Sequence, residues 1–310
     1  MSIVVSIPGV DKTNWWIEQL QALMPSWTIR SIHDPGDVEA VTYAVVWKPA
    51  TGAFLPFPNL KAIVSLGAGI DHVLADTELP RRIPIIRTVG TDLTQRMREY
   101  VALHVLRHHR NMPAISANQR THQWEPLVVP PATDRTVGMM GLGNLGGTAA
   151  STLAALGFET LGWARTKREI EGVTTYAGEA EFDTFVRRCE ILVCLLPLTE
   201  ATTGILDAEL FARLPRGASV INAGRGQHLI DDDLLEALGS GQLSHATLDV
   251  FHVEPLPSEH AFWSHPSITV TPHIASLIDA PTGSRIVSAN IERFEHEGSV
   301  ADLADAERGY

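Results

Sequence analysis

The sequence predicts an α/β protein built from two doubly wound parallel-sheet domains, the second inserted into the first. Two observations carry this prediction. Short β-branched runs alternate with helical stretches, which is the pattern of repeated βαβ units. The alternation breaks once, at the polar, proline-rich stretch "QRTHQWEPLVVPPATD" (119–134), and then starts afresh. The 310 residues suffice for two separate cores.

In the first series, "IVVSI" (3–7), "TIRSI" (28–32), "YAVVW" (43–47), "KAIVSL" (61–66) and "IPIIR" (83–87) read as strands. Residues 13–24 read as a helix, because Trp16, Leu20 and Leu23 share one face. A long helix follows over 94–112, where Met97, Val101 and Val105 recur every fourth residue. It also carries His104, His108 and His109, which read as histidines of a helix face more readily than as a metal site. The second series comprises strands at 135–140, 158–163, 190–196, 218–222, 245–250 and 268–272, with helices at 144–156 and from 231. Three aspartates at 231–233 suit a helix N-terminus. A final helix over 280–298 is too short to form a domain and is expected to pack back onto the first one. The expected boundaries are 1–95 plus 277–310 for one domain and 96–276 for the other, with a cleft between them.

Composition narrows the partners. The net charge of −12 repels nucleic acid and anionic membranes, so an anionic ligand needs a local basic site. Cys189 and Cys194 are the only cysteines, which fits a disulfide-free intracellular protein with no zinc site. No apolar run approaches the ~18 residues of a membrane span. The N-terminal residues lack the basic region of a signal peptide, so a cytoplasmic protein is expected.

"GLGNLG" (141–146) lies directly after a strand and before a helix, the context in which G-x-G-x-x-G binds a dinucleotide. Gly141 permits the tight turn, Gly143 admits a pyrophosphate to the backbone, and Gly146 lets the helix approach the strand. Three further segments end predicted strands, where open α/β sheets place ligands: "INAGRGQ" (221–227), "LDVFHVEP" (248–255) and "TPHIA" (271–275). They offer Arg225 to bind a carboxylate, His273 to move a proton, and Glu254 to favour the protonated imidazole.

These motifs in this order, with "LGAGIDHV" (66–73), "LLPLTEATTGILD" (195–207) and the ending "ERGY" (307–310), resemble the D-isomer-specific 2-hydroxyacid dehydrogenases over essentially the whole chain. Within that family the resemblance is to the glyoxylate/hydroxypyruvate reductase branch. It implies a flavodoxin-like substrate domain, a Rossmann nucleotide domain, and commonly a homodimer formed through the nucleotide domains. It also implies reduction of a small 2-oxoacid, with Arg225, Glu254 and His273 as the catalytic set. The Gly67, Ala68 and Gly69 turn and Trp47 match substrate-side positions. Leu142, Asn144 and Leu145 complete the glycine turn, and Leu196, Pro197, Asn222, Ala223, Asp249 and Ala275 match positions around the nicotinamide. The family's formate dehydrogenases carry glutamine where this chain has Glu254, which argues against formate.

The cofactor's phosphate can be read from residues. NAD-selective turns place Asp or Glu at the end of the second strand. Here Trp163 and Ala164 lead instead into Arg165, Thr166, Lys167 and Arg168, which favours NADP(H), with NAD(H) as the alternative. The short-chain dehydrogenase reading fails, because none of the four tyrosines has lysine four positions later. Two alternatives stay open: a bulkier 2-oxoacid as substrate, and a non-enzymatic nucleotide sensor of the corepressor kind.

Overall fold

Strand β1 (Ser2–Ser6) is buried over its first four residues, because it pairs with a parallel neighbour on each side. Its neighbours are β2 (Thr28–Ser31) and β3 (Val41–Val46), followed by β4 (Ala62–Ser65) and β5 (Ile85–Arg87). In this computed structural model, which describes residues 1–80 and 82–304, the order β2-β1-β3-β4-β5 is all parallel. That is the flavodoxin-like order. Helix α1 (Val10–Leu23) buries Thr13, Trp16 and Leu20 against this sheet's core, and the short α2 (Asp71–Leu74) follows β4.

The second unit runs from Leu93 to Leu277; the first comprises Met1–Asp92 and the chain from Ile278 onward. The second unit contains most of α3 (Thr91–His109), then α4 (Met112–Arg120) and β6 (Thr136–Met140). Next come α5 (Asn144–Ala155), β7 (Glu159–Ala164), β8 (Val173–Ala177), α6 (Phe182–Val186) and β9 (Ile191–Cys194). They are followed by α7 (Ala208–Arg213), β10 (Ala218–Asn222), α8 (Asp231–Gly239), β11 (Leu243–Leu248) and β12 (Ile268–Val270). Among the described residues the sheet is parallel in the order β12-β11-β10-β9-β6-β7-β8. The order reverses beside β6, so the turn after β6 sits at the switch point where such sheets bind ligands. The last helix, α9 (Ala280–Glu297), returns to the first unit and packs on α1, with Val287 and Ile291 in that core.

Two elements escape the sequence pattern. α4 begins with Pro113 in its first turn, where the missing N–H is not needed, so the proline does not act as a breaker. Asn111, in the left-handed region at φ 52°, is what separates α3 from α4. β8 is a half-exposed edge strand, and its polar "VTTYA" lacks a buried apolar run. The ending "ERGY" lies outside the described residues.

α3 turns His104 and His108 toward β11, where Thr247 Oγ1 lies 2.9 Å from His108 Nε2 and 3.4 Å from His104 Nδ1. Burial lowers both imidazoles, His104 to about 4 and His108 to about 3. Among the described residues no group of three His, Cys, Asp or Glu side chains is arranged to hold a metal ion. Both histidines are neutral in the fold but titrate near 6.5 when unfolded, so acid favours unfolding. Between about pH 6.5 and pH 5 the unfolded chain takes up these protons, which removes about 2 kcal/mol per histidine. The melting temperature of the native protein should therefore fall more steeply on acidification than that of a His104→Gln, His108→Gln double variant. Parallel acid slopes would refute this.

Candidate active site

The turn after β6 forms a cradle for an anion. Gly141 has φ 97°, which favours glycine, and a Cβ there would lie 2.6 Å from the Leu195 carbonyl oxygen. A Cβ on Gly146 would overlap the Gly141 carbonyl, so α5 can start this close to β6 only with glycine. Gly143 is different: nothing lies within 4 Å of its Cβ position, so its backbone faces open space. α5 has no side-chain cap and no acid in its first turn, which leaves its first amides to an anionic ligand. Leu142 is buried beneath Gly162, and Leu145 packs on the core beside it. A cavity of about 390 Å³ opens here, lined by Gly143, Asn144, Thr148, Ser151, Arg168 and Glu169 among others. These features fit a dinucleotide diphosphate.

Beyond β7 the basic residues divide. Arg165, Thr166, Lys167 and Arg168 are all exposed. The Lys167 ammonium donates to the Thr175 carbonyl on β8, and Thr175 Oγ1 donates to the Arg168 carbonyl at 2.6 Å. Arg168, not Lys167, lines the cavity. Trp163 is held by its indole N–H on the Gly178 carbonyl (2.8 Å) and packs against the Phe182 ring.

The chemical groups lie on the loops that follow three adjacent strands, β10, β11 and β12. Asp249, one residue beyond β11, is almost fully buried. Its Oδ1 accepts from Thr271 Oγ1 (2.6 Å) and from the Ile274 amide (2.9 Å), while Oδ2 accepts from the Ala275 amide (2.8 Å). Burial raises this carboxyl above the usual carboxylate range, opposed by those three bonds and by His273. Because Thr271 spends its proton on Asp249, its oxygen accepts from the Tyr100 hydroxyl at 2.7 Å. Burial pushes the Tyr100 phenol up, which keeps it a donor.

The carboxylate thus pins residues 271–275 into a tight loop, and His273 sits in that loop at φ 54°. Its amide donates to the Asp249 carbonyl at 2.8 Å. The His273 Nδ1 lies 2.8 Å from Glu254 Oε2, and Glu254 Oε1 accepts from the Phe251 amide at 3.1 Å. Both side chains keep partial exposure, 30% for His273 and 17% for Glu254. The contact with Glu254 through Nδ1 fixes the orientation of the His273 ring.

Arg225 stands on the turn after β10, whose strand end is wholly buried. Asn222 closes that turn, its Nδ2 donating to the Arg225 carbonyl (2.9 Å) and its Oδ1 accepting from the Gly224 amide (3.1 Å). Ala223 hydrogen-bonds through its amide to the Cys194 carbonyl, next to Leu196 and Pro197 on the loop after β9. Arg225 Nη1 donates to the Gly224 carbonyl at 2.7 Å.

In the first unit Trp47, just past β3, lies over the 67–69 turn, and a Cβ on Gly67 would stand 2.8 Å from its ring. Ala68 and Gly69 are partly exposed beside it. The Trp47 ring also packs against His72 at 4.4 Å, and His72 Nε2 lies 3.1 Å from Ser65 Oγ. Sequence reasoning missed His72, Thr271 and Tyr100. Thr271 stands in the quoted "TPHIA", but its partner Tyr100 is 171 residues away along the chain.

A glycine cradle at the switch point, with a carboxylate-backed histidine and an arginine on neighbouring strand ends, defines a dinucleotide-dependent oxidoreductase. Comparison with known proteins agrees. Residues 102–275 match the family model described as D-isomer specific 2-hydroxyacid dehydrogenase, NAD binding domain. A glyoxylate/hydroxypyruvate reductase A of Yersinia enterocolitica is 39% identical, with all of both chains covered. The crystal structure of an NADPH-dependent glyoxylate/hydroxypyruvate reductase from Sinorhizobium meliloti, in complex with NADP and sulfate, is 42% identical. It covers 100% of this chain and 99% of its own, with a TM-score of 0.93. A D-isomer specific 2-hydroxyacid dehydrogenase from Xanthobacter autotrophicus Py2, in complex with NADPH and MES, is 40% identical. It covers 99% of both chains, with a TM-score of 0.93. The chain belongs to the D-isomer-specific 2-hydroxyacid dehydrogenase family and is an NAD(P)-dependent oxidoreductase.

The glycine turn yields a paired prediction. Gly143→Ala should keep the native melting temperature, since its methyl meets no protein atom, yet weaken dinucleotide binding about tenfold or more by blocking the backbone's approach to the diphosphate. Gly146→Ala should destabilise the fold itself by about 1–3 kcal/mol. Calorimetric titration with the dinucleotide and thermal melts check both. Undiminished binding by Gly143→Ala would contradict the cradle.

Proposed function

We propose that the protein reduces a small 2-oxoacid, glyoxylate or hydroxypyruvate, to the corresponding 2-hydroxyacid, with NADPH preferred over NADH. The observation that carries this reading is the Glu254–His273 pair, 2.8 Å apart and anchored through Asp249 on a strand-end loop. The names of the relatives support the substrate class, and the basic loop after β7 supports the phosphorylated cofactor.

When bound, the nicotinamide supplies the hydride. Every other task falls to side chains of this chain. Arg225 holds the substrate carboxylate and polarises the carbonyl, since a guanidinium presents paired donors in a fork. Glu254 fixes the His273 ring through Nδ1 and balances the charge of its protonated form. His273 then donates the Nε2 proton to the carbonyl oxygen as that oxygen gains charge, and in the reverse direction takes it back. In the first unit, the amides of Gly67, Ala68 and Gly69, with Trp47 packed beside them, are the proposed substrate-side groups. Asn222, Ala223, Leu196, Pro197, Asp249 and Ala275 wall the nicotinamide. Arg165, with Thr166 beside it and Arg168 at the cavity, takes the 2′-phosphate; Lys167, held to β8, contributes charge at longer range.

A cytoplasmic location belongs to the same proposal. Among the described residues no helix is long and apolar enough to cross a membrane. Self-association through the second unit is supported by exposed apolar side chains on α3, α4 and the following segment, including Leu103, Met112, Ile115 and Trp124. Sedimentation should give a homodimer, and a monomer at micromolar concentration would contradict it.

Turnover is tested by NADPH consumption with a panel of 2-oxoacids. Activity on glyoxylate and hydroxypyruvate is expected; binding of NADPH without turnover on any member would favour a sensor. His273→Ala should lower kcat by about two to four orders of magnitude, and a near-native rate would overturn the assignment. The ratio of kcat/KM for NADPH over NADH should exceed one and drop about tenfold or more in Arg165→Ala, the worth of one charge-assisted bond. An unchanged ratio would move the phosphate contact elsewhere.

A further inference from the structure

His228 is the one histidine of the second unit with no exposed surface, and it stands three residues beyond Arg225 at the end of a single 3-10 turn. Its ring nitrogens face two different loops. Nδ1 lies 3.0 Å from the Arg225 amide, and an amide can only donate, so Nδ1 is the acceptor. The proton of the neutral ring therefore sits on Nε2, which donates to the Pro197 carbonyl at 3.3 Å. The Cys194 thiol, pushed up to about 12 by burial and so protonated, adds a weak donor to Nδ1 at 3.8 Å.

The ring has little room to move. A Cβ on Gly224 would stand 2.9 Å from His228 Nδ1 and 3.1 Å from the Leu196 carbonyl, so the two loops close tightly around it. The His228 amide and carbonyl are also engaged, by the Arg225 carbonyl (3.2 Å) and the Leu206 amide (2.8 Å). A buried polar ring with defined partners at both ends fixes the spacing between them, whereas an apolar residue of equal size would leave the Arg225 amide without this acceptor.

We propose that His228 is a positioning residue of the reductase, a strut that sets the backbone of Arg225 from one ring nitrogen and the Leu196–Pro197 loop from the other. This rests on the reading above, in which Arg225 holds the substrate carboxylate and Pro197 walls the nicotinamide. His228 touches neither ligand; it couples the two halves of the site.

The two nitrogens can be removed separately. Asparagine places an amide oxygen where Nδ1 stands and keeps an acceptor for Arg225. Glutamine places its amide where Nε2 stands and keeps a donor for Pro197. His228→Gln should raise KM for glyoxylate about tenfold, the effect of leaving one buried backbone amide without its acceptor, with the dissociation constant for NADPH within about twofold of native. His228→Asn should show the opposite split, with weaker NADPH binding and a near-native KM for glyoxylate. A purely structural role would lower the melting temperature of both variants and leave this split absent. If both shift the same parameter, or neither shifts either, the proposal falls. Arg225→Ala, measured alongside, separates the two readings. If it raises KM for glyoxylate while the His228 variants show no split, only the strut is overturned. If it leaves KM unchanged, the role of Arg225 falls and the strut with it.

Discussion

Asp249 is a carboxylate taken out of water, and the reactive end of the second unit is arranged around the cost of burying it. A buried carboxylate must be hydrogen-bonded or lose its charge. Its donors are the Thr271 hydroxyl and the amides of Ile274 and Ala275, so meeting that demand bends residues 271–275 around it. His273 lies inside that bend at a φ that few L-residues adopt. Strain of this kind persists when the surrounding bonds over-determine the backbone. The histidine ring then meets Glu254, which is itself tied to the Phe251 amide on the same loop that leaves β11. One desolvated acid thereby organises the proposed proton donor and its partner.

The Arg225 turn obeys the same logic with neutral groups. Asn222, fully buried at the end of β10, has its amide turned back onto the turn, and His228 receives the Arg225 amide. Placing such a loop at the buried centre of a parallel sheet requires that its backbone groups find partners within a few residues. Short polar side chains and a ring nitrogen supply them. Arg225 and His273 gain a fixed backbone in this way, while both side chains remain partly exposed.

Much of this was legible in the sequence, and the reason is local. The glycine turn, "NAGRG", "EP" and "TPH" are contiguous signals, each placed by a strand that the β-branched pattern marks plainly. Arg225, Glu254 and His273 could be picked out because strand ends are where such folds keep ligands. What the sequence hid is long-range or weakly patterned. Tyr100 reads as one more aromatic on a helix face, and only the fold brings its hydroxyl to Thr271. β8 was missed because an edge strand need not be apolar, and α4 because Pro113 looks like a breaker when it opens a helix. Lys167 and Arg168 looked equivalent on the page, yet one is bound to β8 and the other lines the cavity.

The dependence of chemistry on the buried carboxylate is open to one direct measurement, the single-turnover rate of NADPH oxidation by Asp249→Asn with NADPH and glyoxylate both saturating. Asparagine is nearly isosteric, but its amide N–H group would oppose a backbone N–H of the 271–275 loop, which displaces His273 without removing it. Saturation removes any loss of cofactor affinity from the result. A fall of about two orders of magnitude is expected in a protein that still melts cooperatively, the usual effect of misplacing a catalytic group by about 1 Å. A native rate would show that the His273 loop keeps its working geometry without Asp249, and the account built on that carboxylate would be wrong.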